Sequence, residues 1–156
     1  TQLFFLFQRA EQINDIKQND FFHKGAVADF FIYKDPIFAQ LNLDEEELKL
    51  YKQIYQFLEL KVPKPDLVIY LQTPVELLKK RVERRSINYE KTISTEYLEK
   101  IAEAYSNFFH FKYNQKLLIV NNENLDILDD PAAISMLVDK IEQLSSTREF
   151  FNPQII

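Results

Sequence analysis

The sequence predicts an α/β fold with a parallel sheet flanked by helices, and three observations predict it. Two short runs, Asp66-Leu67-Val68-Ile69-Tyr70-Leu71 and Leu117-Leu118-Ile119-Val120, are apolar without alternation. That is the pattern of strands buried on both faces of a parallel sheet. Segments with apolar residues at helical spacing lie around and between them, giving the alternation that makes such a sheet. A third apolar run, Ala26-Val27-Ala28, comes earlier and ends on the carboxylate of Asp29. The sheet so predicted lacks at least its first strand.

Taken in order, Leu3, Leu6, Phe7, Ala10, Ile13 and Ile16 give Gln2 to Lys17 a helical period, which Asn19-Asp20 ends. Phe21 to Ala28 is expected as a loop entering a short buried strand. Asp29 then has two readings: a helix cap, or a charged group delivered to the carboxyl end of a strand, where ligands bind. Pro36 fits the first turn of a helix. Asp44-Glu45-Glu46-Glu47 places acids at the start of the next one, where the helix dipole favours them. Leu48, Tyr51, Ile54, Tyr55 and Leu58 form the apolar stripe of that helix, and Val62-Pro63-Lys64-Pro65 stops it.

After the first β-rich run, Thr73-Pro74-Val75-Glu76 reads as a cap, an N1 proline and an early acid, so the spacing predicts a helix over 74–84. Arg85 to Ser94 is polar and unperiodic. A helix is expected from Thr95 to Tyr113, with Leu98, Ile101, Ala102, Tyr105 and Phe109 on its apolar face. Asn121 to Asp130 is a polar loop, and Pro131 opens a last helix to Leu144. One domain over 1–144 is expected, with 145–156 as a tail whose Phe150, Phe151, Ile155 and Ile156 could dock on a partner or the core. No internal repeat or domain boundary stands out.

Composition narrows the function. The chain has 156 residues, 46% of them hydrophobic and 14% aromatic, enough for a sizeable core. A net charge of −5 argues against a nucleic acid polymer as partner. The absence of cysteine excludes disulfide and thiol chemistry. No apolar run has membrane-spanning length, and Leu3-Phe4-Phe5-Leu6-Phe7 is too short for a signal segment. A soluble, cytoplasmic protein is expected. His23 and His110 have no cysteine or second histidine at ligand spacing, so no zinc site is expected. Gly25 is the only glycine, whereas a phosphate-cradling GxxxxGK[ST] loop needs two. With Met136 as the only methionine and a helix already under way after Thr1, a C-terminal piece of a longer protein is expected.

The stretch Arg81-Val82-Glu83-Arg84-Arg85-Ser86-Ile87-Asn88-Tyr89-Glu90 places arginines at a helix end and the start of a polar loop. Arginine there is favoured by the helix dipole alone. The sharper reading is a lid whose guanidinium forks close over transferring phosphates.

The order Gln2…Arg9, Asp29…Lys34-Asp35-Pro36-Ile37-Phe38-Ala39, Pro65-Asp66-Leu67-Val68-Ile69-Tyr70-Leu71, Arg81…Arg85…Glu90…Tyr97-Leu98 resembles the deoxynucleoside kinase family from Thr1 to about Asp126. The resemblance implies a P-loop kinase-like sheet whose first strand and P-loop are absent from this chain, ATP and magnesium as cofactors, and a small-molecule deoxynucleoside as substrate. It implies a homodimer, to which Asp44 to Leu60 is expected to contribute.

The resemblance also implies roles. Gln2 matches a glutamine that reads the nucleobase edge, which an amide's adjacent donor and acceptor suit. Arg9 and Asp35 match a charged pair flanking the base, though an ordinary interhelical ion pair would look the same. Glu90 matches the lid carboxylate that accepts the sugar 3′-hydroxyl, and Tyr97 a substrate-pocket tyrosine. Arg81 and Arg85 match lid arginines on the ATP phosphates. Asn124-Leu125-Asp126 falls near the loop against the adenine, making Asn124 and Asp126 cofactor-side candidates. Asp29 matches the acidic residue that supports magnesium and the reacting phosphate.

The chain departs from the family pattern at Phe30 and Ile87, where arginines are usual, and at Phe31, where serine is usual. Lys34, four residues after Phe30, is expected to supply part of the missing charge, without the arginine fork. With its general base and phosphate loop expected upstream, the piece alone should be inactive. The base set fits purine deoxynucleosides slightly better. The competing reading is a degenerate kinase fold that binds or regulates, a reading that includes the C-terminal half of a pterin pyrophosphokinase fusion. A nucleoside monophosphate kinase shares the lid logic but not the Gln2, Arg9 and Asp35 set.

Overall fold

Apolar spacing and end caps put the helices close to where the sequence predicts them. The computed structural model describes residues 2–19, 25–29, 31–59, 62–85, 93–123, 125 and 130–153, and side chains for all of these except 13–19 and 85. The chain divides into two compact units, Thr1–Lys64 and Pro65–Ile156. The break falls within the proline-bearing stop at 62–65.

The first unit holds α1 (Gln2–Asn19), a 3-10 turn (Ile32–Lys34), α2 (Asp35–Asn42) and α3 (Glu45–Glu59). Asp35 and Pro36 open α2, combining an acid in the first turn with a ring that needs no hydrogen-bond partner there. At α3, the Glu47 N–H donates to Asp44 Oδ1 at 2.9 Å, and the Asp44 N–H donates to Glu47 Oε2 at 3.3 Å. This reciprocal pairing satisfies two backbone donors left over at the helix start. Leu6, Ile32, Ala39, Tyr51 and Tyr55 form the core of this unit, with Leu3, Leu48 and Leu58 packed on it.

The strand expected over 26–28 is not there. Gly25 to Asp29 is exposed and irregular, with Val27 fully in solvent. A strand needs a neighbour to pair its backbone groups, and among the described residues none pairs with this run. Asp29 therefore sits in an exposed bend rather than at a strand end.

The second unit is built on a three-stranded parallel sheet in the order β1 (Val68–Gln72), β2 (Leu117–Asn121), β3 (Arg148–Phe151). Val68 pairs with Leu117, and Leu117 with Arg148, so equivalent positions share a face. Helices α4 (Val75–Arg85), α5 (Thr95–Asn107) and α6 (Pro131–Glu142) complete the unit. On one face Leu118 and Val120 pack with Leu125 and Ala133, joined by Leu137, Ile141 and Phe151. On the other, Tyr70 stacks on Phe109 with ring centroids 4.4 Å apart. The end of α5 widens into a π turn, Phe108–Lys112, which buries Phe109 against that face. Among the described residues, no helix is long and apolar enough to cross a membrane.

β3 lies in the stretch expected as a tail. Two of its four residues are charged, which hid it, but both charges are used inside the fold. Arg148 donates to the carbonyls of His110 and Tyr113, at 2.6 and 2.5 Å, filling acceptors left open where the helix ends. Glu149 accepts from Lys140 Nζ at 2.5 Å and from the backbone N–H groups of Ser145 and Ser146 at 2.8 and 2.9 Å. The Lys140 contact first, then the two N–H groups, hold its carboxyl down at about 2. A depressed carboxylate stabilises the fold above its unfolded value of about 4.3, and that stability is lost as pH falls towards 2. Thermal unfolding followed from pH 6 to pH 2.5 should show this acid loss, and Glu149→Gln should flatten it.

Candidate functional site

Helix α1 presents Phe5, Gln8, Arg9 and Gln12 on one side, because residues three and four apart share a helix face. Together with Asp29 and Lys34 they line an open depression of about 270 Å³ in the first unit. Three of the residues the sequence singles out, Arg9, Asp29 and Lys34, line it. Arg9 forms an ion pair with Asp35, whose side chain is only 3% exposed while that of Arg9 is 22% exposed. Lys34 Nζ donates to the main-chain carbonyl of Asp29 at 3.3 Å. Two cations and two carboxylates are thus gathered within a short reach of one another.

Their electrostatics are uneven. Burial, and then the neighbouring Arg9 charge, lower the pKa of Lys34, against the opposing pull of Asp29. Lys34 is therefore a cation held where its charge is not fully comfortable. A bound anion would relieve that cost, since opposite charge favours the ionised form. Phe30, whose place Lys34 is expected to compensate, lies outside the described residues. The 3-10 turn at Ile32–Lys34 leads directly into α2, so the backbone fixes Lys34 immediately before Asp35.

Gln2 lies two turns before Arg9 on α1 and is not among the lining residues of the depression. Gln8 and Gln12 are, although the sequence pattern singles out neither as a site residue. The signal that finds them is their spacing from Arg9: one adjacent and one three residues on, on the same helix face.

In the second unit, Arg81 is not at a free helix end. Its Nη1 donates to Thr73 Oγ1 at 3.4 Å and its Nη2 to the main-chain carbonyl of Asn122 at 3.3 Å. Thr73 and Asn122 follow the last residues of β1 and β2, at the carboxyl edge of the sheet. Thr73, expected as the cap of α4, instead gives its hydroxyl to this cluster, while the Pro74 carbonyl accepts from Leu77 and Leu78. Arg85 ends α4, and its side chain lies outside those described. Glu90, Asn124, Asp126 and Ile87 also lie outside the described residues. Tyr97 is in the first turn of α5, where its N–H donates to the capping Ser94 Oγ at 3.2 Å.

Among the described residues, no three histidine, cysteine or acidic side chains cluster as a metal site. Magnesium does not require such a cluster. It binds well through one or two carboxylates, water and substrate phosphate oxygens, and the exposed Asp29 carboxylate fits that donor set.

Residues 1–146 match a family model described as deoxynucleoside kinase. Among curated relatives, the deoxyguanosine kinase of Bacillus subtilis (strain 168) is 39% identical over 106 residues, covering 67% of this chain and 51% of that protein. The deoxyadenosine kinase of Dictyostelium discoideum is 36% identical over 90 residues, 54% of this chain and 37% of that protein. These matches span about half, or less, of the relatives' length. A deoxyadenosine/deoxycytidine kinase of Bacillus subtilis is 29% identical over 150 residues. The fold is shared with a solved structure of deoxyadenosine kinase from M. mycoides with bound dCTP. That match has a TM-score of 0.67 at 24% identity, covering 92% of this chain and 72% of that one.

Proposed function

Because the chain belongs to the deoxynucleoside kinase family, we propose that it serves the transfer of the ATP γ-phosphate to the 5′-hydroxyl of a deoxynucleoside. The observation that carries this reading is the gathering of Arg9, Asp29 and Lys34 around one depression, with Asp35 paired to Arg9. A nearly buried carboxylate locked to an arginine is a rigid polar edge, suited to reading a base by hydrogen bonds. A partly buried lysine beside an exposed carboxylate is suited to phosphate charge.

In this reaction the 5′-oxygen forms a bond to the γ-phosphorus while the bond to the bridging oxygen of ADP breaks, and the hydroxyl proton leaves to a base. Protein catalysis of such transfers is mostly positioning and charge stabilisation. Arg9, Asp35 and Gln2 take the base. Tyr97 and Glu90 take the sugar. Lys34, Arg81 and Arg85 take phosphate charge, and Asn124 and Asp126 lie on the adenine side. Magnesium, when bound, neutralises phosphate charge, and Asp29 is the residue that would help hold it. No described residue is assigned as the general base, and a chain with one glycine contains no phosphate loop of its own.

The base set favours a purine deoxynucleoside, in keeping with relatives named for deoxyguanosine and deoxyadenosine. The working assembly is a homodimer. Leu50 and Phe57, seven residues apart on α3 and 52% and 62% exposed, offer it an apolar contact. The second reading, a binding or regulatory module on a kinase fold, rests on Phe30 and Ile87 in place of arginines.

The complete gene product should be incubated with ATP, magnesium and each of the four deoxynucleosides, with nucleoside binding measured in parallel. Monophosphate formation, fastest with a purine deoxynucleoside, is the expected result. Binding without turnover of any of them would overturn the enzyme and leave the module.

A further inference from the structure

Asn122 is 5% exposed, and a buried amide is costly unless both its ends are bonded. Its N–H continues the strand ladder to the Gln72 carbonyl at 2.8 Å. The side chain has one orientation that satisfies both ends. Nδ2 then donates to the Leu125 carbonyl at 2.7 Å, while Oδ1 accepts from Arg81 Nη1 at 2.6 Å and from the Thr73 hydroxyl at 3.2 Å. The reverse orientation turns the amide nitrogen towards the arginine, donor against donor. Arg81 therefore grips Asn122 twice, through Nη1 on the side chain and Nη2 on the main-chain carbonyl, and meets Thr73 as well.

The cluster ties α4 to the ends of β1 and β2 at the carboxyl edge of a parallel sheet, the edge where such folds bind ligands. An arginine carries five N–H donors in a fixed fork. Three contacts engage part of that fork, and the remainder can meet an anion. A loose arginine gives up considerable rotamer freedom when it binds a phosphate, whereas one already clasped does not.

Building on the kinase reading above, we propose that Asn122, helped by Thr73, is a positioning residue that presets the Arg81 guanidinium for the phosphates of ATP. The cation is in place at the sheet edge before the ligand arrives, held there from α4.

The test uses the complete gene product, with ATP binding measured by calorimetry and phosphoryl transfer measured separately. Asn122→Ala should weaken ATP binding about tenfold, the scale of one hydrogen bond to a charged group. Thr73→Val should weaken it about threefold, while Thr73→Ser, which keeps the hydroxyl, should bind as the unmodified protein does. The KM for ATP should rise with that for the deoxynucleoside unchanged, a split that general loosening of the fold would not give. In an Arg81→Ala background, Asn122→Ala should add nothing, because the effect runs through the arginine.

Unchanged ATP affinity in Asn122→Ala, or an equal loss with and without Arg81, overturns the proposal. If Asn122→Ala does not fold, the Thr73→Val and Thr73→Ser pair decides by the same criteria. Failure of the kinase reading is seen separately, as ATP binding without transfer in the unmodified protein. Absence of ATP binding there overturns both.

Discussion

Asp35→Ala in the complete gene product is expected to destabilise the protein by about 3–5 kcal/mol, the scale for removing one partner of a buried ion pair. The size follows from burial: the Asp35 side chain is 3% exposed and paired with Arg9, so truncating it empties an enclosed site and breaks that pair. Urea unfolding should show a lower midpoint at an unchanged slope, the signature of lost stability rather than a changed unfolded state. Asp35→Ala and Arg9→Ala together should cost less than the sum of the two single variants, since both remove the same interaction. Nucleoside binding should fall in both single variants. A cost below about 1 kcal/mol would mark Arg9–Asp35 as an ordinary surface pair and remove the rigid edge assigned to the base.

Lys34→Ala should lower kcat by about a hundredfold, the scale for one preorganised charge group on a reacting centre, with little change in deoxynucleoside KM. The lowered pKa of Lys34 adds a test by pH. Burial, then Arg9, favours its neutral form in the folded protein, so its folded pKa lies below the unfolded one. As pH rises through the folded pKa, the active cation is lost and kcat should fall. Over the same interval the folded state gains stability relative to the unfolded chain, up to the unfolded value of about 10.4. Activity and stability therefore move in opposite directions on the alkaline side. Lys34→Arg, which stays charged throughout, should remove the alkaline fall in kcat even if its maximum is lower. An unchanged kcat in Lys34→Ala would leave the lysine without a catalytic part.

The helices were legible because their signals are local. The acids at Asp44 to Glu47 and the proline at 131 mark starts in the sequence. The structure closes them with cap hydrogen bonds at Asp44, Glu47 and Asp130, as it does at Ser94, which the sequence does not single out. β1 and β2 were legible as unbroken apolar runs. β3 was not, because Arg148 and Glu149 look solvated until their partners, a helix-end carbonyl pair and Lys140, are placed beside them. The run at 26–28 failed in the opposite sense: its residues are apolar, but pairing decides a strand.

Within the candidate site, Arg9, Asp35 and Asp29 are candidates because a family pattern holds them in order, and Lys34 because it stands four residues after Phe30. Gln8 and Gln12 required the helix face, and Asn122 required knowing that a strand ends there with its amide buried. A polar residue after an apolar run reads in sequence only as a loop beginning. Its hold on Arg81, forty-one residues earlier, is tertiary.

The proposed transfer to a deoxynucleoside 5′-hydroxyl is read by giving the complete gene product ATP labelled at the γ-phosphate together with deoxyguanosine or deoxyadenosine. Label appearing in the 5′-monophosphate is the expected result. Label remaining in ATP, or released only as free phosphate while the nucleoside stays bound, would contradict it.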